Sequence, residues 1–293
     1  YGLVGSEMCI RDRIYTGNRL EVLARKLADV LEKPLVSTLD TEIIVVQSKG
    51  MERWLSMRLA EQHGICANCS FEFPNTFIND IFSFVLPDVP EKPPFEPGIL
   101  AWKLMKILPG YLDHEEFGEL KTYLAGDETG IKLYQLCRNL ADLFDQYTIF
   151  RPDMIQAWEE DRYYLGGEMK PFEHWQKELW TGLVVDTAGM HRARLKSELL
   201  KQIGVTHKKD LPQRISVFGI SYLPRFHLEI LHAVSGFADV NLFLMNPCRE
   251  YWGDIRAESE IARMSLAAET LDESQLHLEE GNPLLASMGL HGR

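Results

Sequence analysis

Residues 47–50, Gln-Ser-Lys-Gly, occupy the position at which nucleotide-binding proteins hold phosphate. They follow a short apolar, β-branched run at residues 43–46, which predicts a buried strand, and they precede a helical pattern that begins at Met51. We expect Gly50 to give this turn an unusual backbone conformation. A phosphate cradle requires G-x-x-x-x-G-K-[ST], but this turn has one glycine, with the lysine before it. The pattern predicts the architecture of a nucleotide site without its chemistry.

Cys66 and Cys69 form a single C-x-x-C, which is two ligands short of a tetrahedral zinc site. His63 is near in sequence, but no second C-x-x-C follows. In an apolar strand such cysteines are more often small buried hydrophobes, and metal or redox chemistry is the minor alternative. The sequence also lacks G-x-S-x-G, H-E-x-x-H and G-x-G-x-x-G. We therefore predict no catalytic residue and no metal site.

Asp142 and Asp145 stand three residues apart, opposite the apolar stripe of a predicted helix over residues 131–149. Arg138 lies one turn before Asp142, so an ion pair on a solvated helix face is one interpretation. Paired carboxylates could also serve a nuclease, but the further acid and lysine that such a site needs are missing. A third interpretation is that they accept hydrogen bonds from the amino groups of bases.

Four tryptophans fall on apolar faces of predicted helices. They are Trp54, Trp102, Trp158 and Trp175. Their spacing favours core positions over platforms on which nucleic-acid bases stack.

The composition excludes some classes of protein. The chain has 293 residues and a formal net charge of −12, which argues against a free-standing, charge-driven nucleic-acid binder but allows a local basic channel. No apolar run is long enough to span a membrane, so we expect no membrane association. Five cysteines without a repeated spacing predict a reducing compartment, hence the cytoplasm.

Strand and helix patterns alternate at both ends of the chain, with helices alone between them. This order predicts an α/β domain that holds an inserted all-α domain. We assign residues 13–86 to the first part of the α/β domain, 98–203 to the insertion and 213–293 to the return, truncated at its C-terminus. Residues 1–12 resemble the translated read-through of a sequencing adapter, and we expect them to be non-native and to pack against nothing.

Six stretches in order resemble the N-terminal part of the RecC family, the gamma subunit of exodeoxyribonuclease V. They begin at Val46 (Val-Gln-Ser-Lys-Gly-Met-Glu-Arg-Trp-Leu), Ala141 (Ala-Asp-Leu-Phe-Asp-Gln-Tyr, with Arg-Pro-Asp from residue 151), His191 (His-Arg-Ala), Phe218 (Phe-Gly-Ile-Ser), Asn246 (Asn-Pro-Cys-Arg-Glu-Tyr-Trp-Gly-Asp) and Asn282 (Asn-Pro-Leu-Leu-Ala-Ser). Each is weak alone, but together they cover the chain from about residue 14 to its end.

The resemblance implies a superfamily 1 helicase-like, P-loop-like parallel-sheet domain that lacks its ATPase motifs. Such a subunit joins RecB-like and RecD-like partners in a heterotrimer, meets duplex ends and single-stranded DNA, and scans one strand for the Chi signal. ATP and Mg²⁺ are then used by the partners, and this chain needs no cofactor.

The family's signal-reading channel corresponds to ten positions. They are Gln47, Lys49, Arg53, Phe73, Asn79, Asp142, Leu143, Asp145, Arg151 and Arg192. Lys49, Arg53, Phe73 and Asn79 depart in residue type from the family pattern, which leaves the signal sequence open. We expect these positions to converge on one groove, with cations along the strand backbone.

The resemblance therefore predicts a DNA-binding subunit that is non-catalytic alone but works in an ATP-dependent helicase–nuclease for repair of double-strand breaks by recombination. Two alternatives stay open. One is a helicase or nuclease that is active in its own right, and the other is a scaffold that does not contact DNA.

Overall fold

The computed structural model describes residues 12–37, 39–87, 89, 95–165, 170–185, 190–205, 211–248, 255–256, 261, 279–280 and 286. Residues 1–11, most of the predicted non-native segment, lie outside this range, and Asp12 is the first residue of a strand. The described residues form two compact units. The α/β unit takes those within 1–77, 211–223 and 234–293, and the helical unit takes those within 78–210 and 224–233.

The α/β unit is built on a five-stranded parallel sheet with the strand order β1-β5-β4-β2-β3. Its main elements are β1 (Asp12–Gly17), α1 (Leu20–Leu31), β2 (Glu42–Val45), α2 (Lys49–His63), β3 (Cys69–Glu72), β4 (Arg214–Phe218) and β5 (Asp239–Met245). The predicted α/β class with a parallel sheet is confirmed. Two short strands, β6 (Ile255–Arg256) and β7 (Glu279–Glu280), pair with each other in parallel.

The core of the α/β unit forms where α1 and α2 bury one side each against apolar strand residues. Leu23 and Leu27 of α1 and Leu55 and Leu59 of α2 pack in one cluster with residues from β2, β4 and β5. The spacing of four residues puts each pair on one helix face. Cys66 and Cys69 pack against this cluster as free thiols, and burial raises the pKa of Cys69 to about 12. Both side chains are half-buried, and Cys66 lies before β3, so they border the core rather than lie within it.

Two sequence-based details of the helix starts are wrong. The cap of α1 is Arg19 rather than Asn18, and it makes no side-chain capping bond. Gly50 lies in the first turn of α2 and has no positive φ. The reason is that Ser48 already caps this helix by accepting a hydrogen bond from the Met51 N–H at 3.2 Å, so the chain is helical at Gly50. At the other end of α2, Gly64 adopts the left-handed conformation, as predicted.

Most of the helical unit lies between β3 and β4 in the chain, and a second segment, residues 224–233, follows β4. Its helices are α3 (Pro74–Val85, which begins in the α/β unit), α4 (Pro97–Tyr111), α5 (Gly118–Leu124), α6 (Ile131–Phe150), α7 (Pro152–Glu159), α8 (Lys170–Val185), α9 (Arg192–Gln202) and α10 (Arg225–Ser235, whose last residues return to the α/β unit). Residues 78–86 and 224–233, which the sequence placed with the α/β domain, thus belong here. In the part of the chain that the structure describes, no helix is long and apolar enough to cross a membrane.

Aromatic side chains dominate the core of the helical unit. Trp180 contacts Phe95 and Phe144, with ring centroids 5.3 and 5.5 Å apart, and Trp158 is buried in the same cluster. Trp175 packs against this cluster, as the sequence predicts. The prediction is wrong for Trp102, whose side chain is 65% exposed. Residues at i−2, i−1, i+2 and i+6 from Trp102 form the buried stripe of α4, so the indole projects from the opposite side of the helix.

Candidate functional site

Four of the ten predicted channel residues lie in the α/β unit, at the carboxyl ends of β2 and β3. The two strands are parallel and in register, since Val45 pairs with Glu72, so Gln47 and Phe73 leave the sheet at the same edge. Gln47, Lys49 and Arg53 are exposed, and Phe73 is half-buried. Ligands of open α/β sheets bind beyond this edge of the sheet, and the local geometry therefore suits a binding role.

Lys49 and Phe73 are brought together by this geometry. The Lys49 Nζ atom lies 5.4 Å from the centre of the Phe73 ring and 2.8 Å from a carboxylate oxygen of Glu52. The lysine remains largely exposed, so both contacts are weak and water can replace them. The ammonium group is thus held over an aromatic face but stays available to an anion.

The order of the strands reverses its direction beside this edge. The chain proceeds from β2 outward to β3, and later from β4 outward to β5 on the other side, so β2 and β4 flank the topological switch point. Gly219, which follows β4, has a φ of +65° and donates its N–H to the Phe243 carbonyl at 2.9 Å. A side chain there would meet Met51 of α2 at 3.4 Å. That distance is an ordinary contact, so it is the positive φ and not a lack of space that favours glycine after β4.

The other six predicted residues lie in the helical unit, and the structure brings two of them together. Arg192 begins α9, and its Nε lies 3.6 Å from a carboxylate oxygen of Asp145 on α6. The two side chains are 16% and 17% exposed. Burial raises the pKa of Asp145, Arg192 opposes that shift, and the charge of Asp142 adds to it. The interpretation of Asp145 as part of a solvated helix face is therefore wrong, because α9 covers it.

Asp142 keeps the exposed position that the sequence predicts. Arg138, one turn earlier, is also exposed, and between these two described residues the structure shows no ion pair. The Asp142 carboxylate is therefore open to solvent. Leu143 beside it is half-buried.

Arg151 and Asn79 have different surroundings. Arg151 joins α6 to α7. Its main-chain N–H donates to the Tyr147 carbonyl at 2.9 Å, and its side chain is exposed. Its charge opposes the rise that burial causes in the pKa of Tyr147, so the guanidinium lies near that phenol. Asn79 is half-buried on α3, and its carbonyl accepts from the Ser83 hydroxyl.

His227 of α10 is a member of this group that sequence reasoning missed. The imidazole is 4% exposed, and its pKa is lowered to about 4, first by burial and then by the charge of Arg192. It lies on the buried face of α10, which also carries Phe226, Ile230 and Val234. A histidine on an apolar helix face was the available signal, but by itself that signal predicts a core histidine and not a neighbour of Arg192.

The structure thus forms two contacts among the ten predicted residues, Lys49 with Phe73 and Asp145 with Arg192. The convergence of all ten on one groove stays a prediction. In the described ranges no group of three or more His, Cys, Asp or Glu side chains is arranged to hold a metal ion.

Comparison with known proteins identifies the family. The model of the RecC N-terminal domain matches residues 13–293. RecBCD enzyme subunit RecC of Escherichia coli is 37% identical over 96% of this chain and 27% of its own length, and that of Haemophilus influenzae is 34% identical over 96% and 29%. RecBCD enzyme subunit RecC of Mycolicibacterium smegmatis is 30% identical over 94% of this chain and 24% of its own.

The chain spans between a quarter and a third of the length of the first two relatives. The match nevertheless includes both units, the β2–α2 turn and the Asp145–Arg192 pair, because it runs from β1 to the last residue. This chain belongs to the RecC N-terminal domain family.

Proposed function

We propose that this chain is the N-terminal part of a non-catalytic subunit of a RecBCD-type helicase–nuclease, exodeoxyribonuclease V. In this proposal it channels unwound single strands and recognises the Chi signal during repair of double-strand breaks by homologous recombination. Its partners are duplex ends, single-stranded DNA and the RecB-like and RecD-like subunits, in the cytoplasm. The observation that carries the proposal is the family match over residues 13–293.

We infer further that the α/β unit is a superfamily 1 helicase-like domain without ATPase motifs. The five-stranded parallel sheet and the start of α2 at the switch point support this inference. Because the turn lacks the Walker A residues, ATP and Mg²⁺ are assigned to the partner subunits. The isolated chain should then hydrolyse no ATP, and turnover that exceeds a mock purification and is abolished by Lys49→Ala would contradict the inference.

The exposed residues supply the chemistry for reading a strand. The open carboxylate of Asp142 suits the exocyclic amino group of a base, and exposed Gln47, Lys49, Arg53 and Arg151 can donate to base edges or phosphates. Asp145 and Arg192 form an ion pair with each other. A base or phosphate that binds Arg192 must therefore compete with Asp145. The ion pair would then respond to the nucleotide that occupies the site.

The test uses the full-length subunit assembled with its two partners. Asp142→Ala should abolish most of the response to the signal while leaving the unwinding rate nearly intact, because it removes an acceptor and no structural contact. Arg192→Ala should weaken strand binding or the signal response. Unwinding and the position of signal-dependent cleavage would be measured on the same DNA.

Two matched controls come from the same unit. Asp153→Ala removes another exposed acid, and Arg194→Ala removes an exposed arginine two residues after Arg192. Both should leave the signal response unchanged. If Asp142→Ala and Arg192→Ala behave like these controls, the reading role fails and the scaffold alternative gains support. Unwinding or cleavage by the subunit without its partners would favour an active enzyme.

A further inference from the structure

An exposed aromatic pair on the helical unit has no role in the channel just described. Trp102 of α4 is 65% exposed, and its ring lies 5.7 Å from that of Tyr134 on α6, at an angle of 42°. A tryptophan contributes a large apolar surface, and leaving it in water forfeits the stabilisation that burial would provide. Tyr134 is 38% exposed as well, so both rings leave a large part of their surface in solvent.

The segments of α4 and α6 around this pair carry basic side chains and no acidic ones. Residues 97–111, which are α4, include two lysines and no acid, and residues 131–141 of α6 include Lys132 and Arg138 and no acid. The whole chain has 43 acidic and 31 basic side chains. These two segments are therefore locally basic in an acidic protein, between Asp127 before α6 and Asp142 one turn beyond Arg138, and a basic segment favours a polyanionic ligand.

Two cations flank the rings and are free to bind. Lys106 lies one turn beyond Trp102, and Arg138 lies one turn beyond Tyr134, so each shares the face of its aromatic neighbour. Both are exposed, and for neither does the described structure show an ion pair. Lys132, in contrast, is already engaged with the ring of Tyr123 and the carbonyl of Ala125.

We propose that Trp102, Lys106, Tyr134 and Arg138, the aromatic surface, bind single-stranded DNA next to the predicted signal-reading residue Asp142, which lies one turn beyond Arg138 on α6. Aromatic faces stack on bases of any sequence, and flanking cations pair with the phosphates. An acidic protein segment would use the cations, but it offers few π faces for the two rings. The proposal rests on the proposed function for its choice of DNA as ligand.

The test measures the affinity of the full chain for a fluorescein-labelled oligothymidylate of about 20 nucleotides by fluorescence anisotropy. Trp102→Ala and Tyr134→Ala should each raise the Kd about tenfold, since one stacked base is lost. Trp102→Phe should restore much of the affinity, because a ring remains to stack. Neutralising both cations, Lys106→Gln with Arg138→Gln, should weaken binding and lower the salt slope by about 1.4.

Three controls test whether any exposed aromatic side chain or any exposed lysine would have the same effect on the Kd. Phe84→Ala and Tyr164→Ala remove exposed aromatic side chains elsewhere in the helical unit, and Lys201→Gln removes an exposed lysine. All three should leave the Kd within about twofold of the parent value. Circular dichroism would verify that each variant is folded.

Three results would overturn the proposal. The first is an oligonucleotide affinity that is unchanged in both aromatic variants, and the second is no measurable binding by the parent chain. The third is equal binding of polyglutamate with the same dependence on Trp102, which would assign the surface to an acidic protein partner. Failure here leaves the effects of Asp142→Ala and Arg192→Ala untouched, and failure of those variants leaves binding at Trp102 untouched, so the two proposals fail separately.

Discussion

The two units each contain an arginine that faces a carboxylate, but the two arginines are held differently. In the α/β unit, Arg214 pairs with Glu42 at 2.8 Å and also donates to the carbonyls of Val30 and Lys33, at 3.0 and 2.6 Å. In the helical unit, Arg192 approaches Asp145 at 3.6 Å, and among the described residues it makes no further hydrogen bond. Burial raises the pKa of both carboxyls against the opposing effect of the arginine.

The difference teaches how a buried ion pair can serve structure or recognition. Arg214 directs three of its five N–H donors to three acceptors and so ties the end of α1 to β2 and β4. Arg192 keeps donors that Asp145 does not use. The first pair is a structural clamp, whereas the second is compatible with exchange of one partner for another.

The largest effect is expected from Arg214→Met. It removes three hydrogen bonds and leaves Glu42 buried without its countercharge, which should cost about 3–5 kcal/mol of unfolding free energy. Urea unfolding of the chain would measure it. As a control, Arg225→Ala removes an exposed arginine that pairs with Glu229, and it should cost less than about 1 kcal/mol. Equal costs for the two variants would remove the distinction between clamp and surface pair.

An intermediate effect on the free energy of unfolding is expected when the pH is lowered, because His227 is buried. Its folded pKa of about 4 lies below the ordinary value of 6.5, so the unfolded chain takes up a proton first as the pH falls. Stability from this group is complete above pH 6.5 and is lost between there and pH 4, by roughly 2 kcal/mol at pH 5. His227→Gln should flatten the dependence of stability on pH across this range, measured by urea unfolding at each pH.

The smallest effect is expected from Arg192→Met, which tests the looser pair directly. It should cost less than Arg214→Met, on the order of 1–2 kcal/mol, because buried Asp145 loses its countercharge but no side-chain hydrogen bond among the described residues is lost with it. The same change should raise the pKa of His227, since a nearby positive charge is removed, and an NMR titration would detect it. A cost as large as that of Arg214→Met would mean that Arg192 is also a clamp, and it would weaken the case for its role in reading DNA.

Local features of the fold could be predicted from the sequence because they depend on residues close together in the chain. The strand at 239–245, the end of α2 at His63 with Gly64 after it, and the long helix from Ile131 all follow from apolar periodicity and capping residues. The family could also be identified, since six short stretches keep their order. The absence of the Walker A pattern after β2 can also be read from the residue types alone.

Contacts between distant segments were decided only by the tertiary structure. Nothing near Asp145 in the chain indicates that Arg192 would cover it, that His227 would lie within reach of that charge, or that Lys49 would stand over Phe73. Helical periodicity placed Trp102 in the core, yet the packing of α4 leaves it in water beside Tyr134. The physical reason is that periodicity gives the direction of a side chain relative to its own helix, whereas burial and pairing depend on which other element packs against that side.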